Sequence, residues 1–167
     1  MAQLTNSSSL LNLDSLREMK PANIAVVYTE WNDKIIGELL NGVKRVCREF
    51  KADIVEEVVV PGCFEIPFGC RLITEKQRNA FSIYPHAIIA LGAVIRGGTP
   101  HFDYVCKAVT EGITQLNLAQ HMPVIYGILT LDSEEQAWER LGGVHGHKGE
   151  EAAITALKMI QQVRNNR

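Results

Sequence analysis

The residues of this chain best suited to chemistry lie in one short stretch, R-G-G-T-P-H at 96–101. An arginine, a threonine hydroxyl and two glycines that let the backbone approach closely are groups that bind an oxyanion or a phosphate. A helix that begins just after the glycines would add free N–H groups and its dipole. His101 beside a bound phosphate is a suitable general acid or base. The alternative is a plain turn with a capping histidine.

Two further candidate residues stand where predicted strands end. Trp31 follows the first strand and is either a core residue or a platform on which a planar ring can stack. Glu65 follows P-G-C-F and could accept hydrogen bonds from ligand hydroxyls. That role is compatible with a glutamate that balances the dipole of the helix it begins. The residue types alone leave these interpretations open.

Four residues late in the chain are less informative by themselves. Arg140 on a short helix and Lys148 in a glycine-rich loop are typical of solvated charges. His145 and His147 are separated by one residue, and no third ligand stands at a suitable spacing. We therefore expect both to be loop histidines and not metal ligands.

The apolar pattern predicts the elements that position these residues. Short apolar runs alternate with segments of helical spacing, which indicates a parallel sheet between two helical layers. Strands are predicted at 23–29, 53–60, 87–95 and 122–130, and helices at 34–50, 64–77, 102–120, 134–140 and 150–163. Asn32 or Asp33 should cap the first helix, Asp132 or Ser133 should cap the short one, and 142–149 should be a flexible connection. Ligands of such sheets bind beyond the carboxyl ends of the strands.

Length and composition exclude several classes of protein. The 167 residues fit a single domain at 22–167, preceded by a polar arm at 1–21 that should stay outside the core. A balance of 17 basic and 19 acidic residues favours neither a nucleic acid nor an anionic membrane as partner. Four separated cysteines are typical of buried thiols in a reducing compartment. With no membrane-length apolar run and no signal peptide, we expect a cytoplasmic protein.

Three longer motifs resemble the 6,7-dimethyl-8-ribityllumazine synthase family. They are V-P-G-C-F-E-I-P at 60–67, L-G-A-V-I-R-G-G-T-P-H-F-D-Y-V at 91–105, and P-V-I-Y-G-I-L-T at 123–130, followed by E-Q-A-x-E-R and H-K-G. The resemblance covers 24–156 and implies a flavodoxin-like, three-layer α/β/α sandwich with a four-stranded parallel sheet. It also implies a transferase at the penultimate step of riboflavin biosynthesis. In that step 5-amino-6-(D-ribitylamino)uracil condenses with 3,4-dihydroxy-2-butanone 4-phosphate, and phosphate and water are released without a cofactor or a metal.

The resemblance also implies a role for each matched residue. His101 would transfer protons, and Gly98, Thr99 and Arg140 would bind the phosphate of the butanone. The residues that would bind the ribitylaminouracil are Trp31, Asn32, Cys63, Phe64, Glu65, Ala93, Val94, Ile95, Tyr126 and Lys148. In this family the site lies between two subunits, and Tyr126, Arg140 and Lys148 come from the neighbour. Cys63, Leu131 and His147 depart from the residues common in the family, and Trp31 replaces the usual phenylalanine.

The resemblance further implies partners and leaves two alternatives. It implies a homo-oligomer, at least a pentamer and in some members a 60-subunit icosahedral shell, with association with riboflavin synthase. The absence of a long insertion at 142–149 favours a shell. One alternative is the riboflavin synthase of some archaea, which shares the fold and dismutates two lumazines. The other is a non-catalytic flavin-binding or shell-forming protein.

Overall fold

The computed structural model describes residues 13–76 and 83–166, and a parallel sheet forms its centre. The strands are β1 (Ala22–Thr29), β2 (Ala52–Val60), β3 (Ala87–Ile95) and β4 (Val124–Leu131). They lie in the order β2-β1-β3-β4, and every neighbouring pair is parallel. The predicted four-stranded parallel sheet is confirmed.

One layer of helices covers each face of this sheet. The helices are α1 (Asp14–Arg17), α2 (Asp33–Glu49), α3 (Ile66–Thr74), α4 (His101–Ala119), α5 (Glu135–Trp138) and α6 (Lys148–Asn165). Successive residues of β1 alternate between two core clusters. Ile24 and Val26 pack with α2 and α6, whereas Ala25 and Val27 pack with α3 and α4. Both faces of the strand are buried along its apolar middle, Ile24 to Val27, and the predicted three-layer sandwich is confirmed.

The glycine-rich segment at 142–149 differs from the flexible connection that the sequence suggested. It contains a small antiparallel hairpin, β5 (Leu141–Gly143) and β6 (Gly146–His147), and α6 begins at Lys148, two residues early. Gly142 and Gly146 have φ angles of 109° and 74°, which side-chain-bearing residues rarely adopt. The glycines therefore build a defined turn and do not loosen the chain.

The capping predictions and the separate arm are also partly wrong. Asn32 occupies the position before α2, but its side chain makes no capping bond, and Glu134 stands before α5 in place of Asp132 or Ser133. Residues 1–12 of the predicted arm lie outside the described residues. Leu16 in α1, however, is only 1% exposed and belongs to the core. An apolar side chain facing the core thus fixes the end of the arm.

None of the helices in the described ranges is long and apolar enough to span a membrane.

A separate short turn of 3-10 helix, Cys63–Glu65, leads directly into α3, where the sequence predicted one helix from 64. Pro67 lies in the first turn of α3 as expected, because its missing N–H has no partner to lose there.

The close packing of α2 against α6 gives a first prediction. A Cβ atom at Gly149 would overlap the backbone carbonyl oxygen of Leu39. We expect Gly149→Ala to cost about 2 kcal/mol and to lower the melting temperature by about 4–8 °C in circular dichroism. Gly37→Ala on α2 is the control, since its Cβ atom would meet nothing within 4 Å. An equal melting temperature for Gly149→Ala and wild type would contradict this account.

Candidate active site

The carboxyl ends of β1, β2 and β3 meet at a cavity of about 700 Å³. Ten of the predicted site residues line it: Trp31, Asn32, Cys63, Phe64, Glu65, Ala93, Val94, Ile95, Thr99 and His101. Gly98 lies in the same loop as Thr99. The segments that follow three of the four strands therefore converge at one edge, as the topology of a parallel sheet requires.

The loop after β1 presents an aromatic ring and an anchoring amide. Trp31 is 70% exposed, which excludes the core interpretation within this chain and leaves its indole available for stacking. Asn32 adopts the left-handed conformation, with φ 61° and ψ 42°, which asparagine tolerates better than most residues. Its side-chain amide donates a hydrogen bond of 3.0 Å to the carbonyl oxygen of Ala93. Asn32 therefore ties the first loop to the end of β3.

The last residues of β3 leave one backbone edge open to this cavity. Pairing between β3 and β1 ends at Leu91 and Tyr28, whereas pairing between β3 and β4 continues to Ile95 and Leu131. Beyond Leu91, the edge of β3 that faces β1 has no strand partner. On this edge Asn32 occupies the carbonyl oxygen of Ala93, whereas the N–H of Ala93 and the backbone groups of Ile95 can recognise a planar ligand with donors and acceptors along its rim.

Cys63, Phe64 and Glu65 form the turn after β2. Cys63 is buried against Gly92, and burial raises the pKa of its thiol to about 12, so the side chain is a neutral packing group near neutral pH. The Glu65 carboxylate accepts a hydrogen bond of 3.0 Å from the backbone N–H of Gly62. This bond caps the turn, so the structural role of Glu65 is confirmed. Binding of ligand hydroxyls stays a prediction.

The glycine loop lies directly before the first turn of α4. The helix begins at His101, as the phosphate-site interpretation requires, and both Thr99 and His101 line the cavity. A Cβ atom at Gly97 or Gly98 would meet nothing within 4 Å. Packing therefore does not demand these glycines, and the space in front of the helix N-terminus is open to an anion.

Arg96 does not take the position that the sequence suggested. Its Nε donates to Asp132 at 2.9 Å and its Nη1 donates to Asp103 at 3.3 Å. The guanidinium carbon lies 4.0 Å from the centre of the Phe102 ring. Arg96 is absent from the cavity lining. Two carboxylates and an aromatic ring thus hold the guanidinium that we expected to face a phosphate.

Tyr126, Arg140 and Lys148 lie outside the cavity, in a groove of about 820 Å³ along the edge strand β4 and α6. Burial raises the pKa of the Tyr126 phenol above its ordinary value, and its oxygen lies 3.1 Å from the hydroxyl of Thr110. The ammonium of Lys148 donates to both carboxylate oxygens of Glu151, at 2.9 and 2.8 Å. One chain therefore does not bring these side chains together with His101.

The hairpin before α6 is anchored by His147, which is only 8% exposed. Its Nε2 lies 3.2 Å from the carboxylate of Glu38, its Nδ1 accepts a bond from the N–H of Glu150, and its ring fills the space beside Gly42. The expectation of a loop histidine is wrong for His147, because this residue ends β6 and its buried ring caps α6. In the described part of the chain, no group of three His, Cys, Asp or Glu residues could hold a metal.

Four cavity residues, Pro61, Gly62, Phe102 and Val105, were not among the site residues predicted from the sequence, and a fifth, Gly97, belongs to the predicted phosphate-binding stretch. A signal for two of them existed. Helical periodicity places Val105 four residues after His101, on the same face of α4, and Phe102 is its neighbour in the first turn. Phe102 lines the cavity, and its ring is also the one that the guanidinium of Arg96 contacts.

The fold and the cavity define a flavodoxin-like α/β protein in which an exposed tryptophan and the glycine loop at 97–100, named the anion loop for its expected ligand, lie at one cavity. The model of the 6,7-dimethyl-8-ribityllumazine synthase family matches residues 21–164. Three relatives of this name come from Parabacteroides distasonis, Bacteroides fragilis and Porphyromonas gingivalis. The first is 41% identical over 96% of this chain and 98% of its own length. The second is 45% identical over 83% of this chain and 94% of its own length. The third is 42% identical over 95% of this chain and 96% of its own length. The chain belongs to the 6,7-dimethyl-8-ribityllumazine synthase family, transferases of riboflavin biosynthesis.

The anion loop yields a second prediction. Thr99→Val removes a hydroxyl at nearly constant volume, so we expect about three- to tenfold weaker binding of inorganic phosphate by calorimetry, with an unchanged melting temperature. Thr114→Val, later on α4, is the matched control, because its hydroxyl bonds only to the Thr110 carbonyl. Unchanged phosphate affinity in Thr99→Val would remove this hydroxyl from the anion site.

Proposed function

We propose that this chain condenses 5-amino-6-(D-ribitylamino)uracil with 3,4-dihydroxy-2-butanone 4-phosphate. The products are 6,7-dimethyl-8-ribityllumazine, phosphate and two molecules of water. The observation that carries the proposal is the cavity itself, in which an exposed indole, an open strand edge, an anion loop and His101 face one volume.

The pyrimidine substrate fits the part of the cavity between the first loop and β3. In this proposal its planar ring stacks on Trp31, and its carbonyl and N–H groups bond to the backbone at 93–95. The ribityl hydroxyls bond to Glu65, beside Cys63 and Phe64. Asn32 supports this arrangement, because its bond to Ala93 fixes the distance between the platform and the strand edge.

The butanone phosphate fits the opposite part of the cavity. Gly98 and Thr99, together with the N-terminus of α4, bind its phosphate, and Arg140 of a neighbouring subunit completes the site. An arginine and a helix N-terminus both stabilise the dianion that departs during the reaction.

The main chemical requirement of this condensation is a residue that transfers protons. The arylamine attacks the ketone and loses water to form a Schiff base. A proton then leaves carbon as phosphate departs, and the second amine closes the ring on the remaining carbonyl with loss of a second water. His101 lies beside the anion loop and moves these protons. Holding two substrates together supplies much of the remaining acceleration.

The separation of the site residues supports an assembly in which neighbours share active sites. Tyr126, Arg140 and Lys148 line the groove along β4, away from His101 in the same chain. A head-to-tail contact would bring the groove of one subunit to the cavity of the next, and such contacts close into rings. We propose a homopentamer, with a 60-subunit shell and association with riboflavin synthase as further steps.

The domain limits and the compartment belong to the same proposal. Residues 22–167 form the catalytic domain and 1–21 form its arm, of which α1 packs on the core. The four free cysteines support a reducing compartment such as the cytoplasm.

The two substrates distinguish this function from its alternatives. Purified protein supplied with both should form the lumazine, followed by its absorbance and by released phosphate. Consumption of added lumazine with formation of riboflavin would instead indicate the archaeal type of riboflavin synthase. Binding of a lumazine or flavin without turnover would indicate a non-catalytic protein.

Removal of His101 is the third prediction. His101→Ala should lower kcat by about tenfold or more, because the protons lose their carrier, with little change in either KM. His86→Asn is the control, since His86 lies at the opposite end of β3, where its Nδ1 accepts a bond from the N–H of Asn23. A wild-type rate in His101→Ala would remove this residue from the mechanism.

Mixing of variants tests the shared site and is the fourth prediction. Arg140→Ala should raise the KM for the phosphate substrate. When the Arg140→Ala and His101→Ala proteins are mixed, unfolded and refolded together, the mixture should regain activity. Because half the cavities keep His101 and half the grooves keep Arg140, about a quarter of the sites become intact.

The control mixture combines His101→Ala with Trp31→Ala, whose defects fall in the same cavity and cannot complement each other. Recovery in neither mixture, or a monomer in sedimentation velocity, would contradict a site built from two subunits. The sedimentation boundary also separates a pentamer from a shell.

A further inference from the structure

We propose that Arg96 is a positioning residue that fixes the anion loop and the start of α4, and that it does so without binding the phosphate. This inference rests on the proposed function, because it concerns how the same site holds its phosphate substrate. It extends that function by assigning a role to a charged group that lies outside the cavity lining.

The guanidinium joins three elements that end at this edge of the sheet. Arg96 follows β3, Asp103 lies in the first turn of α4, and Asp132 follows β4. Arg96 bonds to both carboxylates through different nitrogens, at 2.9 Å to Asp132 and 3.3 Å to Asp103. Its backbone N–H also donates to the carbonyl oxygen of Leu131 at 2.8 Å. The planar fork of an arginine suits such a double contact.

These contacts join the residues that precede and follow the anion loop. The anion loop at 97–100 begins beside Arg96, and His101 follows it in the first turn of α4, where the guanidinium contacts Phe102 and Asp103. Gly97 and Gly98 have no side chains, and the space around them is open, so side-chain packing does not restrain these two residues. The Arg96 contacts therefore set where the loop backbone and His101 lie.

Asp132 has a fixed position of its own. Its backbone N–H donates to the side-chain oxygen of Gln136 in α5 at 2.9 Å, which orders the turn after β4. The carboxylates of Asp103 and Asp132 are 65% and 69% exposed, and ion pairs this exposed contribute little to the stability of a fold. Loss of these bonds should consequently alter the loop and leave the folded state intact.

A direct role for Arg96 in phosphate binding predicts a different pattern. In that case the guanidinium must leave both carboxylates to reach the anion. Asp132→Asn would then release it, so phosphate would bind as well as in wild type or better. If Arg96 acts by position, Asp132→Asn should reproduce the defect of Arg96→Gln.

A double-mutant cycle separates the two cases. The variants are Arg96→Gln, Asp132→Asn and their combination, measured for inorganic phosphate affinity by calorimetry and for the KM of each substrate. We expect each single variant to weaken phosphate binding by about three- to tenfold. The phosphate affinity of the double variant should be no lower than that of the single variant with the lower affinity. The KM for the pyrimidine and the melting temperature should stay unchanged.

Arg96→Lys and a control pair complete the experiment. A lysine cannot form the fork or stack on Phe102, so we expect Arg96→Lys to match Arg96→Gln; recovery of phosphate affinity by the lysine would indicate a direct contact. Arg71→Gln and Glu75→Gln break another exposed pair, at 2.6 Å on α3, and should have no effect.

Additive losses in the cycle, or wild-type phosphate affinity in Asp132→Asn, would overturn the inference. The calorimetric measurement uses phosphate alone, so it stays informative if the substrates are not turned over. Absence of turnover in wild type would contradict the proposed function, whereas an additive cycle would contradict only the role of Arg96.

Discussion

The candidate site depends on the unequal lengths over which β3 pairs with its two neighbours. The ladder to β4 continues to Ile95, which holds the end of β3 rigid, whereas the ladder to β1 stops at Leu91. One edge of the strand end is thus held by β4, whereas the opposite edge has no strand partner. Asn32 uses one of the exposed carbonyl oxygens to fasten the first loop, and the anion loop starts where the β4 ladder ends. The cavity exists because backbone pairing ends earlier on one side of β3 than on the other.

Several features of this arrangement could be predicted from the sequence because they follow from local chemistry. The nine apolar residues of β3 and the glycines after them identify a buried strand and a loop, and the observed strand has the predicted bounds 87–95. The convergence of Trp31, Glu65 and His101 follows from the rule for parallel sheets. Within one chain Tyr126 and Arg140 lie in a different groove from His101, and the proposed assembly brings them together through contacts between subunits, which no local pattern encodes. Only the family resemblance suggested that they come from another subunit.

Three of the errors share a physical cause, which is long-range pairing of polar side chains. The glycines of 142–149 indicated flexibility, but His147 finds Glu38 and the space beside Gly42, and both lie more than a hundred positions earlier in the chain. Arg96 had the right charge for a phosphate, but Asp132 neutralises it from a different loop. Asn32 had the right type for a cap, but its amide bonds to β3. In each case a partner distant in sequence competes successfully with the local role.

The open space around Gly97 and Gly98 has a consequence for how such a chain can change over generations. Elsewhere in the core a single added methyl group meets backbone or side-chain atoms, as at Gly149, so drift there is opposed by unfolding. At these two positions of the anion loop, a small side chain would not clash with any atom of the chain. In the proposed function the ligand, and not packing within the chain, constrains these two positions, so the affinity of the loop can change separately from the stability of the protein.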